Sequence, residues 1–114
     1  MQIAELIEQT RTTPHSIEFT QVMEVIGQNY QYTPSAFTNG DLTSAAGSNE
    51  GSCKIFYFAQ INKLDKEQTL SLFGAYYRED VLQNPEGKDH GNIRNFMVTG
   101  WDGITFNGQV LQAI

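Results

Sequence analysis

The stretch from Asp89 to Met97 is crowded with side chains that could bind or catalyse, at the start of a predicted helix. His90 could act as a general acid or base, and Arg94 could hold an anionic group. Cys53 is the single cysteine, and thiolate attack needs a base within hydrogen-bond reach, oriented here by Asp89 or an asparagine. Cys53, His90 and Asp89 are therefore the candidate catalytic residues of a small cysteine-dependent hydrolase or transferase.

Each of these residues also has a structural interpretation. A free cysteine beside an aromatic segment is most often a small buried hydrophobic residue. Asp89 could accept hydrogen bonds from the free N–H groups of the helix start, and Arg94 could then pair with Asp89 or Asp80. No sequence spacing brings Cys53 and His90 together, so both catalysis and a purely architectural role stay open.

A second group of residues could form a surface that binds a ligand or a partner. Its members are Asn39, Arg78, Asn92, Arg94 and Trp101. In one arrangement Arg78, Arg94 and His90 line a single polar pocket together with the Tyr76-Tyr77 pair. Trp101 could cap the core or anchor a partner, because tryptophan is enriched at binding hot spots. Apart from loop acids, neither histidine has a second His, Cys or carboxylate at helical ligand spacing, and no metal or cofactor is expected.

The composition excludes two classes of partner. Thirteen acids against seven Lys and Arg give a net charge of −6. This balance predicts no basic face for the phosphates of a nucleic acid or for an anionic membrane.

The longest apolar run, residues 55–59, is far too short to span a bilayer. Residues 1–8 are acidic and amphipathic, unlike a Sec-type signal peptide, and one cysteine cannot form an internal disulfide. We therefore expect a soluble protein of a reducing cytoplasm.

Hydrophobic spacing predicts two helices in the first part of the chain. Apolar residues at helical spacing favour a helix over residues 2–12. A second helix has an apolar stripe that runs from Phe19 to Tyr30, and Thr13 or Ser16 could cap it.

The middle of the chain is predicted to be extended and loop-rich. Residues 30–34 should form a short edge or extended piece because they end at a proline. A turn is expected at residues 38–41, and the small polar residues 39–52 should form a long loop. Residues 54–60 favour a strand, although a helix capped by Ser52 fits so short a run equally well.

Two more helices and a hairpin are predicted in the last part of the chain. The capping-box pattern of residues 65–68 opens a third helix that stops at residues 84–87. Its buried stripe is Leu70, Phe73, Tyr76 and Tyr77. A fourth helix covers residues 92–99 with Gly100 at its C-cap, and residues 104–111 form a terminal hairpin. The sequence therefore predicts one α+β domain, residues 1–114, with about four helices packed on a small sheet.

With these segments in place, the chain resembles the HopJ-type family, named after a type III secreted effector of a plant pathogen. The resemblance rests on several short motifs that occur in the same order along the chain: residues 32–40, Gly51-Ser52-Cys53-Lys54, Tyr76-Tyr77-Arg78, Asp89-His90 and Gly100-Trp101. It extends from about residue 15 to about residue 112. The resemblance implies a protein that a type III system secretes into a host cell. It implies no particular reaction, because the family has none established, and it assigns no functional residue.

Two main hypotheses of function follow. The first is a module that binds a host or bacterial protein, or a small ligand, through residues 39–52 and 89–101. The second is the cysteine-dependent enzyme with Cys53 and His90. A housekeeping protein with a small-molecule pocket is a third. The sequence does not decide between enzyme and binding module, and it does not indicate the oligomeric state.

Overall fold

Helices and short strands follow one another along the chain in the computed structural model, which describes residues 2–114. The helices are α1 (Ile3–Thr12), α2 (Phe19–Asn29), α3 (Glu50–Ile61), α4 (Lys66–Ser71), a π-helix (Tyr76–Val81) and α5 (Gly91–Thr99). The strands are β1 (Tyr30–Tyr32), β2 (Phe37–Asn39), β3 (Leu42–Ser44), β4 (Ile104–Phe106) and β5 (Leu111–Ala113). Single 3-10 turns follow α1, at Pro14–Ser16, and α5, at Gly100–Gly103. The predicted α+β class is confirmed.

The strands form two small antiparallel sheets. β1 pairs with β5, and β2 lies between β3 and β4. β2 and β3 form a hairpin in which Asn39 lies opposite Leu42, so Gly40 and Asp41 make the turn. Gly40 has a φ of 63°, in the left-handed region that glycine tolerates. The turn predicted at residues 38–41 is therefore confirmed, as is the extended piece that begins at residue 30.

The terminal hairpin predicted over residues 104–111 is wrong. β4 pairs with β2, and β5 pairs with β1, so the two last strands belong to different sheets. The pairing with β2 brings the ring of Phe106 to 5.9 Å from Phe37 and 5.1 Å from Tyr57, measured between ring centroids. Aromatic packing between distant segments thus outweighs the local Asn107-Gly108 turn signal.

Helix α3 lies in the centre of the core and corrects two predictions. Residues 54–60 are helical rather than a strand. The long loop predicted over residues 39–52 is mostly structured, since it contains β3 and the start of α3. The buried side chains of α3 are Cys53, Ile55, Phe56, Phe58 and Ala59. A helix that packs on nearly all sides shows no clear amphipathic period, which is why the sequence pattern resembled a buried strand.

The first two helices are confirmed, but the predicted cap of the second helix is wrong. Thr13 and Ser16 do not cap α2, because they lie at the 3-10 turn before it. Glu18 is the N-cap, and its backbone N–H donates to the side chain of Gln21 at 3.2 Å. Tyr30 leaves the helical stripe and begins β1.

The third predicted helix is interrupted. Its capping box is confirmed, because the Gln68 N–H donates to the Asp65 carboxylate at 2.8 Å. However, α4 ends at Ser71, and Gly74 follows with a φ of 61°. A Cβ at Gly74 would lie 2.8 Å from the backbone nitrogen of Phe19. The close approach of α2 thus breaks the helix, and the chain continues as the π-helix.

The fourth predicted helix is confirmed as α5, with Gly100 after its last residue at a φ of 58°. Phe96 of α5 is fully buried, and its ring centroid lies 4.9 Å from that of Phe56 in α3. Asn95 donates to the backbone oxygen of Asn39 at 3.0 Å and to the Asp41 carboxylate at 2.7 Å. These contacts fix the start of α5 beside the β2–β3 hairpin.

Candidate functional site

The first turns of α3 and α5 border one cavity of about 350 Å³, here called the α3–α5 pocket. One wall is aromatic and apolar: Phe19, Phe73, Tyr76 and Ile93. The other comes from the two helix starts: Asn49, Gly51, Ser52 and residues 90–92. Among the described residues that line the pocket, none is acidic. Its volume lies in the range of small-molecule sites.

Both helix starts lack a side-chain cap. Asn49 and His90, which precede the first helical residues, each have a φ of 51° and give no cap hydrogen bond. The Asn49 amide donates instead to the Ser44 hydroxyl at 3.0 Å. The first backbone N–H groups that find a carbonyl are those of Cys53 and Arg94. The earlier N–H groups of both helices therefore have no acceptor among residues 2–114.

The ring of His90 is held by two residues of the π-helix. Its Nε2 atom lies 3.0 Å from the Asp80 carboxylate, and its centroid lies 5.2 Å from that of Tyr76. The Asp89 carboxylate is farther away, at 3.8 Å from the same nitrogen. The side chain of His90 keeps 27% of its surface exposed, so it can still contact a bound molecule. Asp80 is thus the nearer carboxylate, and the predicted role of Asp89 in orienting His90 stays a prediction.

The structure brings together two predicted binding residues, Asn39 and Asn92. The Asn39 Nδ2 group donates to the backbone oxygen of Asn92 at 2.8 Å and to its Oδ1 at 3.1 Å. Asn39 is fully buried, and its Oδ1 has no hydrogen-bond partner among the described residues. Asn39 therefore lies behind the pocket and orients Asn92, which lines it.

Arg94 holds the loop before α5 rather than facing His90. Its guanidinium donates to the Asp89 carboxylate at 2.7 Å, to the Asp89 backbone oxygen at 2.6 Å and to the Asn84 backbone oxygen at 2.9 Å. The hydrogen bond from Arg94 holds the pKa of the Asp89 carboxyl below its ordinary value. In this structure Arg94 and Asp89 thus stabilise the loop that leads to His90.

Cys53 is buried in α3, where its thiol lies 3.8 Å from the backbone oxygen of Ser35 and donates to it. Burial, reinforced by the nearby Glu50 carboxylate, raises the pKa of the Cys53 thiol to about 11. Among residues 2–114, no hydrogen bond or ion pair joins Cys53 to His90 or Asp89. The structure does not connect these three as a hydrogen-bonded set, and their catalytic role stays a prediction.

Arg78 and Arg94 border cavities other than the α3–α5 pocket. Arg78 donates to the backbone oxygen of Ile17 at 2.7 Å and lines a cavity of about 650 Å³ that also includes Tyr77. Arg94 borders a third cavity of about 220 Å³ beside the exposed Val98. The structure therefore places Arg78, Arg94 and Tyr77 outside the pocket of His90, whereas Tyr76 shares it as expected.

Trp101 packs against the core. Its indole N–H donates to the backbone oxygen of Leu64 at 3.0 Å. Its ring meets the buried ring of Phe96 edge-on, with the centroids 5.0 Å apart. These contacts match the core-capping alternative, and the partner-binding role of Trp101 stays a prediction.

Sequence reasoning missed Phe19 and Phe73 of the pocket, and it included Asn49 only as part of the binding segment 39–52. Phe19 was assigned only to the stripe of α2, and Asn49 was placed in the predicted loop. An asparagine ahead of an apolar run is a typical helix N-cap, so Asn49 could have been recognised had residues 54–60 been predicted as a helix. Nothing local to Phe19 indicates that its ring approaches the start of α3.

Residues 2–114 contain no group of three His, Cys, Asp or Glu side chains placed to hold a metal ion. Among the described helices, none is both long and apolar enough to cross a membrane.

Known proteins resemble the chain at the levels of both sequence and structure. The family described as HopJ type III effector protein matches residues 3–111. A crystal structure of the unknown function protein VPA0580 has a TM-score of 0.97 and 53% sequence identity. The similarity covers 100% of this chain and 95% of that one. No curated protein matches the chain significantly. Because the family match covers nearly the whole sequence, the chain belongs to the HopJ type III effector protein family.

Proposed function

We propose that this HopJ-family protein is a binding module and that its site is the α3–α5 pocket. The observation that supports this most directly is the meeting of two uncapped helix starts with an aromatic wall in one cavity. The pocket residues 49–52 and 90–93 belong to the two segments, 39–52 and 89–101, that the sequence favoured for binding. The ligand would be a small molecule, or a side chain or terminus of a host or bacterial partner protein.

The geometry favours binding over cysteine catalysis. A nucleophilic cysteine needs a thiolate population near neutral pH and a base within reach. Burial gives Cys53 a pKa of about 11, which leaves its thiol protonated under those conditions. Among residues 2–114 the Cys53 thiol donates to the Ser35 backbone oxygen and the His90 ring contacts the Asp80 carboxylate, so no hydrogen bond joins the proposed nucleophile to its base. A binding site requires neither the thiolate nor the contact between Cys53 and His90.

The two histidines of the chain allow a matched test of this proposal. His90 lines the α3–α5 pocket, whereas His15 lies on the 3-10 turn and lines the separate cavity of Arg78. We expect fragments from a small-molecule library to shift the amide NMR signals of residues 49–52 and 90–93. His90→Ala should weaken these shifts with little change in the thermal midpoint, because its pair with Asp80 is partly exposed.

The control variant His15→Ala should leave the same shifts unchanged. Fragments that move only signals around Arg78, or equal effects of the two substitutions, would rule out the α3–α5 pocket as the binding site.

The family description supports a further part of the proposal, that a type III system transfers the protein into a host cell. The test is release of the tagged chain from a strain with a working type III apparatus and from its apparatus-deficient counterpart. We expect the chain in the medium of the first strain alone, with a cytoplasmic marker retained by both. Equal release from the two strains, or no release from either, would contradict transfer by this route.

A further inference from the structure

We propose, resting on the binding function proposed above, that the ligand of the α3–α5 pocket has a carboxylate or phosphate group on a small aromatic body. The anionic group would lie at the starts of α3 and α5. The aromatic body would lie against the wall formed by Phe19 and Tyr76.

The first observation is the pair of helix starts. α3 has 12 residues and α5 has 9, so both are long enough for a substantial helix dipole. Gly51, Ser52 and residues 91–93 have backbone N–H groups without an acceptor among the described residues, and all of them line the pocket. Free N–H groups and the positive dipole end together favour a bound anionic oxygen group. Here two such ends border the same cavity.

The second, independent observation is the side chain of Asn92. This residue is only 7% exposed, yet it lines the pocket. Its Oδ1 accepts from Asn39, which leaves the Nδ2 group as the free end of the amide. Nδ2 has no hydrogen-bond acceptor among residues 2–114. Among the described residues only Asn39 Oδ1 is a fully buried side-chain atom without a partner, so Asn92 Nδ2 still reaches the open space of the pocket, where a ligand oxygen would accept its hydrogen bond.

The local charges agree with an anionic ligand even though the chain has a net charge of −6. No acidic residue is among those that line the described pocket, so a bound anion would meet no carboxylate there. Two nearby acids are engaged by other side chains: Asp80 by His90 and Asp89 by Arg94.

The aromatic wall beside the helix starts suits a flat aromatic body. Phe19 and Tyr76 meet edge-on at 5.0 Å between centroids, and Tyr76 lies 5.2 Å from the ring of His90. A Cβ at Gly51 would lie 2.9 Å from Cζ of Phe19. Glycine at this position thus allows the Phe19 ring to lie directly against the first turn of α3, where the anionic group would lie.

An amide NMR titration with three probes distinguishes the contribution of the anionic group to binding from that of the ring. The probes are phenyl phosphate, benzoate and benzyl alcohol. We expect phenyl phosphate or benzoate to bind more tightly than benzyl alcohol and to shift the signals of residues 51–52 and 91–93. The comparison of the first two probes decides between phosphate and carboxylate. Inorganic phosphate tests the anionic group without the ring, and it should shift the same signals at higher concentration.

Asn92→Asp is the decisive variant, because it keeps an acceptor for Asn39 and replaces the Nδ2 donor by a carboxylate oxygen. We expect at least about tenfold weaker binding of the anionic probes, since like charges oppose each other at close range. Asn107→Asp adds the same charge at an exposed turn and should have no effect. If Asn92→Asp lowers the thermal midpoint, Ser52→Asp makes the same test at the first turn of α3.

Equal binding of benzyl alcohol, unaffected by Asn92→Asp, would overturn the anionic ligand while leaving the pocket as a binding site. Anionic probes that shift only signals near Arg11 and Arg78 would also overturn it. Absence of any shift at residues 49–52 and 90–93, with these probes and with the fragment library, would contradict the proposed function as well.

Discussion

At the scale of single residues, the polar side chains predicted from the sequence fall into two groups, those that hold other parts of the protein and those that line the α3–α5 pocket. Arg94 donates to the loop before α5, and Asn39 donates to Asn92. Of the residues proposed for binding, Asn92 alone is both largely buried and part of the α3–α5 pocket. The residue types were recognisable from the sequence. The pairing of Asn39 with Asn92 was not, because it joins segments far apart in the chain and has no local pattern.

Cys53 gives a prediction at this scale. We expect its thiol to resist a thiol reagent in the native protein near neutral pH and to react after denaturation, because it is buried and protonated. Its pKa of about 11 lies above the ordinary thiol value, so rising pH ionises the unfolded chain first. The contribution of Cys53 to stability should thus be complete below the ordinary value and fall as the pH rises towards 11.

Labelling kinetics and chemical denaturation over the same pH range measure both effects. Cys53→Ala is the control for the pH dependence: the loss of stability with rising pH should become smaller, and Tyr32 and Tyr77, whose pKa values burial also raises, account for the remainder. Fast labelling of the native protein near neutral pH would contradict the buried, protonated thiol and favour the cysteine-dependent enzyme.

At the scale of the elements, local signals predicted the helices with solvent-facing sides and failed for α3. The amphipathic pattern located α1, α2 and α5, and the Asp65 capping box located α4. α3 packs on nearly all sides, so its apolar residues show no clear period. The pocket depends on the start of α3, and this is why the sequence indicated two binding segments without indicating the shared cavity.

Two glycines test the break between α4 and the π-helix. Gly74 has a φ of 61° and lies against the backbone of Phe19, so Gly74→Ala should destabilise the protein by about 2 kcal/mol. Gly27 lies on the exposed side of α2 with open space around its Cα, so Gly27→Ala should stabilise by about 0.5–1 kcal/mol. Urea denaturation measures both. Similar changes for the two variants would contradict the strained position assigned to Gly74.

At the scale of the whole molecule, the order of predicted helices and strands predicted the α+β class and the resemblance predicted the HopJ family, and both are confirmed. The sheet pairing could not be predicted in this way. β4 and β5 each pair with a strand from the first half of the chain. A local turn motif between them cannot predict which distant strand each one pairs with. The same distant pairings hold the β2–β3 hairpin beside α5. The hairpin in turn places Asn39 behind Asn92.

A crystal structure of the protein with a fragment selected in solution tests the central claim most directly. The account predicts the fragment in the α3–α5 pocket, with a polar group at the N–H groups of residues 51–52 and 91–93. A fragment bound instead at the cavity of Arg11 and Arg78, or one that leaves the starts of both helices untouched, would contradict it.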